Sequence, residues 1–273
     1  MFEFCSLASG SSGNSAALCL GGERLLIDAG LSLKKIEENL RAAGLAPEQI
    51  NRLLVTHAHS DHARSAGRFA RKYRVPVCLS RETFQTLKNI KGEDFSGCRI
   101  IFLKEKEKFG RLSLRTYRLP HLGHAPDGQD DAGGTLGFLF AVDNFRMGYF
   151  TDLGTMPEQI FRDIHDCDFL FLEANHDVRW EKASRRPAQV IARNLSDFGH
   201  LSNEQAARIV QRVVKKDGKT RAVMLAHISR ECNSQELIKR ALRKALPEPP
   251  AAPRVLFAPE GRCSEYLSWQ TAG

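Results

Sequence analysis

Residues Thr56-His57-Ala58-His59-Ser60-Asp61-His62-Ala63 follow directly on the apolar run Leu53-Leu54-Val55. Three histidines and a carboxylate thus stand together where a short apolar strand should end. Alternate residues of an extended segment point the same way, so His57 and His59 face one side. Asp61 and His62 fall on a turn entering a helix and can face the same cavity from another direction. Imidazoles with a carboxylate neighbour suit zinc, and manganese or iron tolerate them. A single histidine here would be decoration of a strand-helix junction. The H-x-H-x-D-H spacing instead reads as a site for two divalent metal ions.

Working outward, four more apolar runs end on a potential ligand. His121 follows Leu119-Pro120, with His124 three residues later, and strand position favours His121. Asp152 follows Tyr149-Phe150-Thr151, His176 follows the run through Leu172 to Asn175, and His227 follows Val223-Met224-Leu225-Ala226. Strands ending on one rim bring such distant residues into one pocket. A carboxylate such as Asp152 can bridge two metals about 3.5–4 Å apart. The loop Ser9-Gly10-Ser11-Ser12-Gly13-Asn14-Ser15 is either a flexible turn or a cradle whose amides and hydroxyls, those of Ser11 and Asn14 included, meet an anion. Basic residues begin at the same presumed rim: Arg64, Arg68, Arg71 and Lys72 after the histidine motif, and Arg179, Lys182, Arg185 and Arg186 after His176. They are candidate phosphate contacts, with a solvated helix face as the plainer account.

The remaining pattern supplies the frame. Strands are expected at 2–7, 16–20, 24–28, 75–79, 100–103, 112–119, 136–142, 146–151, 168–173 and 221–226, with a last strand at 254–258. Ser32 caps a helix with Leu33, Ile36, Leu40 and Ala43 inward, stopped by Gly44. Further helices are expected at 62–73, 80–90, 157–164, 187–197 and 234–246, and Ser202-Asn203-Glu204-Gln205 is a capping box opening one to Val214. The alternating Lys and Glu of 104–108 read as a solvated connection, and Pro247-Glu248-Pro249-Pro250 as a stiff connector. Strands clustered early and then helix-strand alternation, in both halves, suit two packed sheets with helices outside. We therefore expect one domain over residues 1–273.

The motifs resemble those of the metallo-β-lactamase superfamily, which implies an α+β fold, an αββα sandwich of two mixed sheets flanked by helices. The resemblance implies that His57, His59 and His121 hold a first metal, that Asp61, His62 and His227 hold a second, and that Asp152 bridges them. The segment 120–126 departs from the family pattern, which has Asp directly after the third-motif histidine, and an insertion follows it at 127–134. Glu173-Ala174-Asn175-His176-Asp177, Gly199-His200-Leu201-Ser202-Asn203 and Leu225-Ala226-His227-Ile228-Ser229, with the serine-glycine loop, look like the YycJ/WalJ-like branch of bacterial exonucleases. The short separation of Asp152 from His227 leaves no room for an inserted cap domain, so an open site is expected. In the implied chemistry Asp61 orients the attacking water while ligating, and His176 either protonates the leaving oxygen or makes a structural hydrogen bond at a turn. His200 contacts phosphate or caps the following helix, with Ser11, Asn14, Arg185 and Arg186 as further substrate contacts.

Composition sets outer limits. The 273 residues are 42% hydrophobic and 26% charged, ordinary globular values. No apolar run reaches the 18 or so residues of a membrane span, and the first residues lack a signal-peptide pattern. Seven scattered cysteines without a C-x-x-C pair suggest neither disulfides nor a cysteine zinc site, so a cytoplasmic home is expected. The net charge of +8 is compatible with a polyanionic partner. The leading expectation is a dinuclear metal-dependent phosphodiesterase acting on nucleic acid, a DNA exonuclease before an RNA one, with zinc ahead of manganese or iron. No membrane or obligate protein partner is expected. The alternatives are a hydrolase of a small thioester, lactone or cyclic nucleotide on the same scaffold, and a binding module without catalysis.

Overall fold

The computed structural model describes residues 1–88, 94–121, 134–165, 167–214, 220–246 and 253–271, with the backbone alone of 123–124 and 130–131. The first half lays down β1 (Phe2–Ala8), β2 (Ser15–Leu20), β3 (Glu23–Ile27), helix α1 (Leu33–Ala42), β4 (Arg52–Leu54), α2 (Ser60–Ala63), α3 (Ala66–Tyr73), β5 (Val77–Leu79), α4 (Arg81–Lys88) and β6 (Ile100–Phe102). The second half follows with β7 (Lys106–Phe109), β8 (Leu112–Arg118), the short β9 (Gly123–His124) and β10 (Asp130–Asp131), β11 (Leu136–Val142), β12 (Phe145–Phe150), α5 (Glu158–Ile164) and β13 (Phe169–Glu173). It ends with α6 (Val178–Ala183), α7 (Ala188–Asn194), α8 (Asn203–Val213), β14 (Ala222–Ala226), α9 (Gln235–Ala245), β15 (Arg254–Phe257) and β16 (Leu267–Trp269).

These strands form two mixed seven-stranded sheets, ordered β16-β1-β2-β3-β4-β5-β6 and β15-β14-β13-β12-β11-β8-β7. Period-2 alternation explains why both faces of each sheet are buried. In β13, Phe169 and Phe171 enter the layer between the sheets, while Leu170 and Leu172 face the outer layer with α5, α8 and α9. In the inner layer Phe4 meets Phe169 and Phe171 at 5.1 and 5.3 Å, and Tyr149 stacks on Phe171 at 4.6 Å. Each such ring contributes about 1.5–3 kcal/mol by leaving water. A third apolar layer packs α1 and α3 on the outside of the first sheet. The αββα sandwich is the expected one.

Several expectations need correction. Residues 106–109 are not a solvated connection but the edge strand β7, paired with β8, whose lysines point to solvent and discourage further pairing. The helix expected at 62–73 is broken into α2 and α3, because the Ser65 amide donates to Ala29 O rather than continuing the helix. Helix α7 stops at Asn194, whose carbonyl accepts from the His200 amide. The strand β15 is not the last one, since β16 pairs with β1 beyond it. Helix α6 is an element the sequence pattern does not announce. The end of the helix expected to reach Ile90, the proline-rich connector and most of the apparent insertion lie outside the described residues. All seven cysteines are free, and no helix among the described residues is long and apolar enough to cross a membrane.

Candidate metal centre

Strand direction places the site. β12, β13 and β14 run parallel, and β8 runs the same way because both β8 and β12 are antiparallel to β11. Their carboxyl ends therefore deliver His121, Asp152, Glu173 and His227 to one rim. In the other sheet β3 and β4 are parallel and deliver Asp28 and the histidine motif. Asp28, Asp152 and His227 all take left-handed backbone angles, with φ of 61°, 59° and 51°. Such angles are uncommon outside glycine and cost about 1 kcal/mol or more. Each one turns the chain back at the strand end, over the rim.

The donor atoms of His57, His59 and His121 lie within 4.8 Å of one another, as do those of Asp61, His62 and His227, and those of His57, His62 and Asp152. Asp152 Oδ2 is 3.2 Å from His62 Nε2, and its Oδ1 is 3.2 Å from His227 Nδ1. The hydrogen bonds fix which nitrogen faces the centre. His121 Nδ1 is 2.9 Å from Gly199 O, an acceptor only, so Nδ1 carries the proton and Nε2 keeps its lone pair. That Nε2 is buried without a hydrogen-bond partner among the described residues. A buried acceptor aimed at other ligand nitrogens is costly alone and is what a divalent ion would satisfy. Behind the ligands stand carboxylates. Asp28 Oδ2 lies 2.8 Å from His62 Nδ1, and Glu173 Oε1 lies 2.7 Å from His227 Nδ1 and 2.9 Å from His200 Nδ1. This carboxylate-histidine arrangement orients a metal-binding ring and raises its basicity. The donor set therefore fits two divalent ions.

The charges are balanced accordingly. Burial works against a charged His62, but Asp152, Asp28 and Asp61 together outweigh it and push the pKa up to about 10. His227 is likewise pushed up to about 9, burial being overcome by Asp152 and Glu173. Burial, joined by the neighbouring His62, holds His57 well below the ordinary histidine range, and burial with His200 nearby holds His121 at about 3. Burial would raise Asp152, yet the surrounding histidines, His227 and His62 foremost, hold it well below the carboxylate range.

The seven expected ligands thus come together, while the side chain of His124 lies outside the described residues. The other expected residues fare differently. Asn14 is 3% exposed and its amide spans Gly10 O, Asp61 Oδ2 and His62 Nε2 at 3.0, 3.2 and 2.9 Å, so it braces the motif rather than greeting an anion. Its backbone amide donates to Asp61 O, and the neighbouring Ser9 hydroxyl accepts from the His227 amide at 2.8 Å. Ser11 remains exposed. Arg186 is committed inside the protein: its guanidinium meets both oxygens of the buried Glu181 at 3.2 and 3.1 Å, Glu231 at 2.9 Å and Ser229 Oγ at 3.2 Å. Arg185 is exposed. His176 is 1% exposed, outside the ligand groups, and its Nδ1 has no hydrogen-bond partner among the described residues. His200 instead joins Asp152, Glu173 and His227 in one group. Sequence reasoning misses Asp28 and sees Glu173 only within a motif, although both end apolar strands, the signal that finds Asp152. A cleft of about 640 Å³ among Arg81, Phe102, Lys104, Arg115 and Arg118 contains none of these ligands.

The family described as "Beta-lactamase superfamily domain" matches residues 23–228. The chain is 35% identical over 239 residues to "Exodeoxyribonuclease WalJ" of Streptococcus pneumoniae serotype 2, covering 86% of this chain and 85% of that one. It is 31% identical over 247 residues to "Exodeoxyribonuclease YycJ" of Bacillus anthracis, covering 90% and 89%. Among solved structures, the metallo-β-lactamase fold protein YhfI from Bacillus subtilis superposes with a TM-score of 0.68 at 14% identity, over 97% of this chain and 99% of that one, which speaks for the fold alone. With that match across most of its length and these relatives, the chain belongs to the metallo-β-lactamase superfamily and is a metal-dependent hydrolase.

Proposed function

We propose that this protein is an exodeoxyribonuclease that cleaves phosphodiester bonds with two divalent metal ions, zinc before manganese or iron. The observation that supports the two-ion reading is Asp152, whose Oδ2 lies 3.2 Å from His62 Nε2 of one ligand group and whose Oδ1 lies 4.0 Å from His121 Nε2 of the other. The nucleic-acid reading is supported by the exodeoxyribonuclease relatives WalJ and YycJ. Exposed Arg64, Arg179, Lys182 and Arg185 follow the site segments and suit a polyanion.

Bound divalent ions supply Lewis acidity at the phosphoryl oxygens and a water acidic enough to attack near neutral pH. His57, His59 and His121 would hold one ion, and Asp61, His62 and His227 the other, with Asp152 between them. Asp61, partly open to solvent, orients the attacking water. We assign protonation of the leaving oxygen to His200 rather than to the buried His176. His200 Nδ1 is held 2.9 Å from Glu173, which leaves Nε2 to carry the proton. The carboxylate fixes the orientation of the ring.

The test is turnover of single-stranded DNA, duplex DNA, RNA, bis-p-nitrophenyl phosphate and a thioester by protein loaded with each metal. DNA degraded from its ends, with little thioester hydrolysis, is the expected outcome. Thioester turnover without nuclease activity would overturn the reading.

A further inference from the structure

Four large apolar side chains are more than two-fifths exposed among the described residues: Met1, Trp180, Phe198 and Tyr266. Met1 and Tyr266 lie beside the strand pair β1–β16. Phe198 stands elsewhere, 44% exposed, in the turn Ser196-Asp197-Phe198-Gly199 that joins α7 to His200. Its Cα is two residues from that of His200, so the two lie within about 8 Å.

The turn is rigid and is pressed onto the ligand segments. The Ser196 hydroxyl donates to Arg193 O at 2.7 Å, the Phe198 amide donates to Ser196 Oγ at 3.3 Å, and the Gly199 amide donates to Ser196 O at 3.0 Å. Gly199 O in turn holds His121 Nδ1. A Cβ on Gly199 would fall 2.2 Å from Arg193 O, and one on Gly154, two residues after Asp152, would fall 2.3 Å from the Asp197 carbonyl carbon. The close approach at Gly154 ties this turn to the segment after Asp152, and the Gly199 carbonyl ties it to His121. An exposed aromatic residue on a hydrogen-bonded turn two residues from His200 is suited to serve as a stacking platform. Asp197 beside it is exposed and repels phosphate, so the ring meets a base rather than the sugar-phosphate chain.

Resting on the nucleic-acid reading above, we propose that Phe198 stacks on a nucleobase flanking the scissile phosphate, so that the protein grips its substrate by a base as well as by its phosphates. Stacking on an aromatic side chain tolerates every base, because each has a π-face.

The experiment is steady-state digestion of an end-labelled duplex by the metal-loaded wild type, Phe198→Ala and Phe198→Trp. Each is compared on normal DNA and on DNA carrying base-free nucleotides at the two positions flanking the first scissile bond. Metal content is measured for all three. We expect Phe198→Ala to lose about 5- to 150-fold in kcat/KM on normal DNA, the range for one stacked base. Phe198→Trp should restore it, and the wild type and Phe198→Ala should converge on the base-free substrate. Equal losses on both substrates, or no loss on normal DNA, would overturn the inference while leaving the exonuclease reading intact. A wild type that digests no DNA with any metal would remove that reading and this one with it.

Discussion

At the scale of single residues, protein groups hold one nitrogen of His57, His62, His121 and His227, and the ligand atoms converge on one another at the strand ends. Truncating a ligand should therefore empty the centre without disturbing the layers behind it. Asp152→Ala and His57→Ala are each expected to lower phosphodiester hydrolysis at least 1,000-fold, on the order of 4 kcal/mol of transition-state stabilisation. Circular dichroism should show the fold retained, and near wild-type turnover with unchanged metal content would sink the assignment. A pH dependence follows from His62 and His227. Without metal their pKa values are raised to about 10 and about 9, so both rings are charged at pH 7. The stability this charge contributes to the metal-free protein is complete below about pH 6.5 and is lost as pH rises through 9 to 10. Metal must displace these protons, so affinity should rise from pH 6 to 9, by up to about tenfold per proton per unit. Calorimetry in buffers of different ionisation enthalpy would count the protons released, and none released would contradict it. The ligands were legible because H-x-H-x-D-H is dense and further histidines repeat the same place after apolar runs. Asp28 was not, because it looked like the polar residue that ends any strand.

At the scale of elements, the fitting of backbones against one another decides the site. A Cβ on Gly30 would sit 1.6 Å from Asp61 O and 2.1 Å from its carbonyl carbon, neither of which can move without the histidine motif. Gly30→Ala should therefore destabilise the protein by several kcal/mol and cut metal content, checked by urea unfolding and metal analysis. The two neighbouring arginines give the other element-scale contrast. Arg185→Glu should weaken DNA binding and flatten its salt dependence by about 0.7–0.9 in log-log slope for each phosphate no longer neutralised, with stability unchanged. Arg186→Ala strips the buried Glu181 of its counter-charge and should cost about 2–4 kcal/mol, measured by denaturation. If Arg186→Ala proves as stable as the wild type, the clamp is misread. From sequence these two residues are indistinguishable, since what separates them is a carboxylate beneath α7. Capped helices such as α8 were legible to the residue because Ser202 and Gln205 form the reciprocal pair seen in the structure. β16 and α6 were not, because a three-residue edge strand and a six-residue helix are too short for a period to register.

At the scale of the whole molecule, the two sheets were legible from the order of strands and helices, but not which residues tie one sheet to the other. His57, His59, Asp61 and His62 belong to the first sheet's strand ends, while His121, Asp152 and His227 belong to the second's. The loop of residues 9–15 joins them independently, through Asn14 to Asp61 and through Ser9 to His227. Ions bound across that seam stabilise the folded chain by mass action, about 2.7 kcal/mol per site at a hundredfold excess over Kd. Chelation should accordingly lower the melting temperature by several degrees per site, read by scanning calorimetry with and without chelator, and an unchanged melting point would place the ions on one half only. Because the chain must hold three left-handed residues at that seam whether or not metal is bound, its metal-free form carries their cost with no return. The supply of metal would then set the lifetime of the protein as well as its activity. A cell short of the ion would lose this protein to unfolding and proteolysis, not merely store it idle.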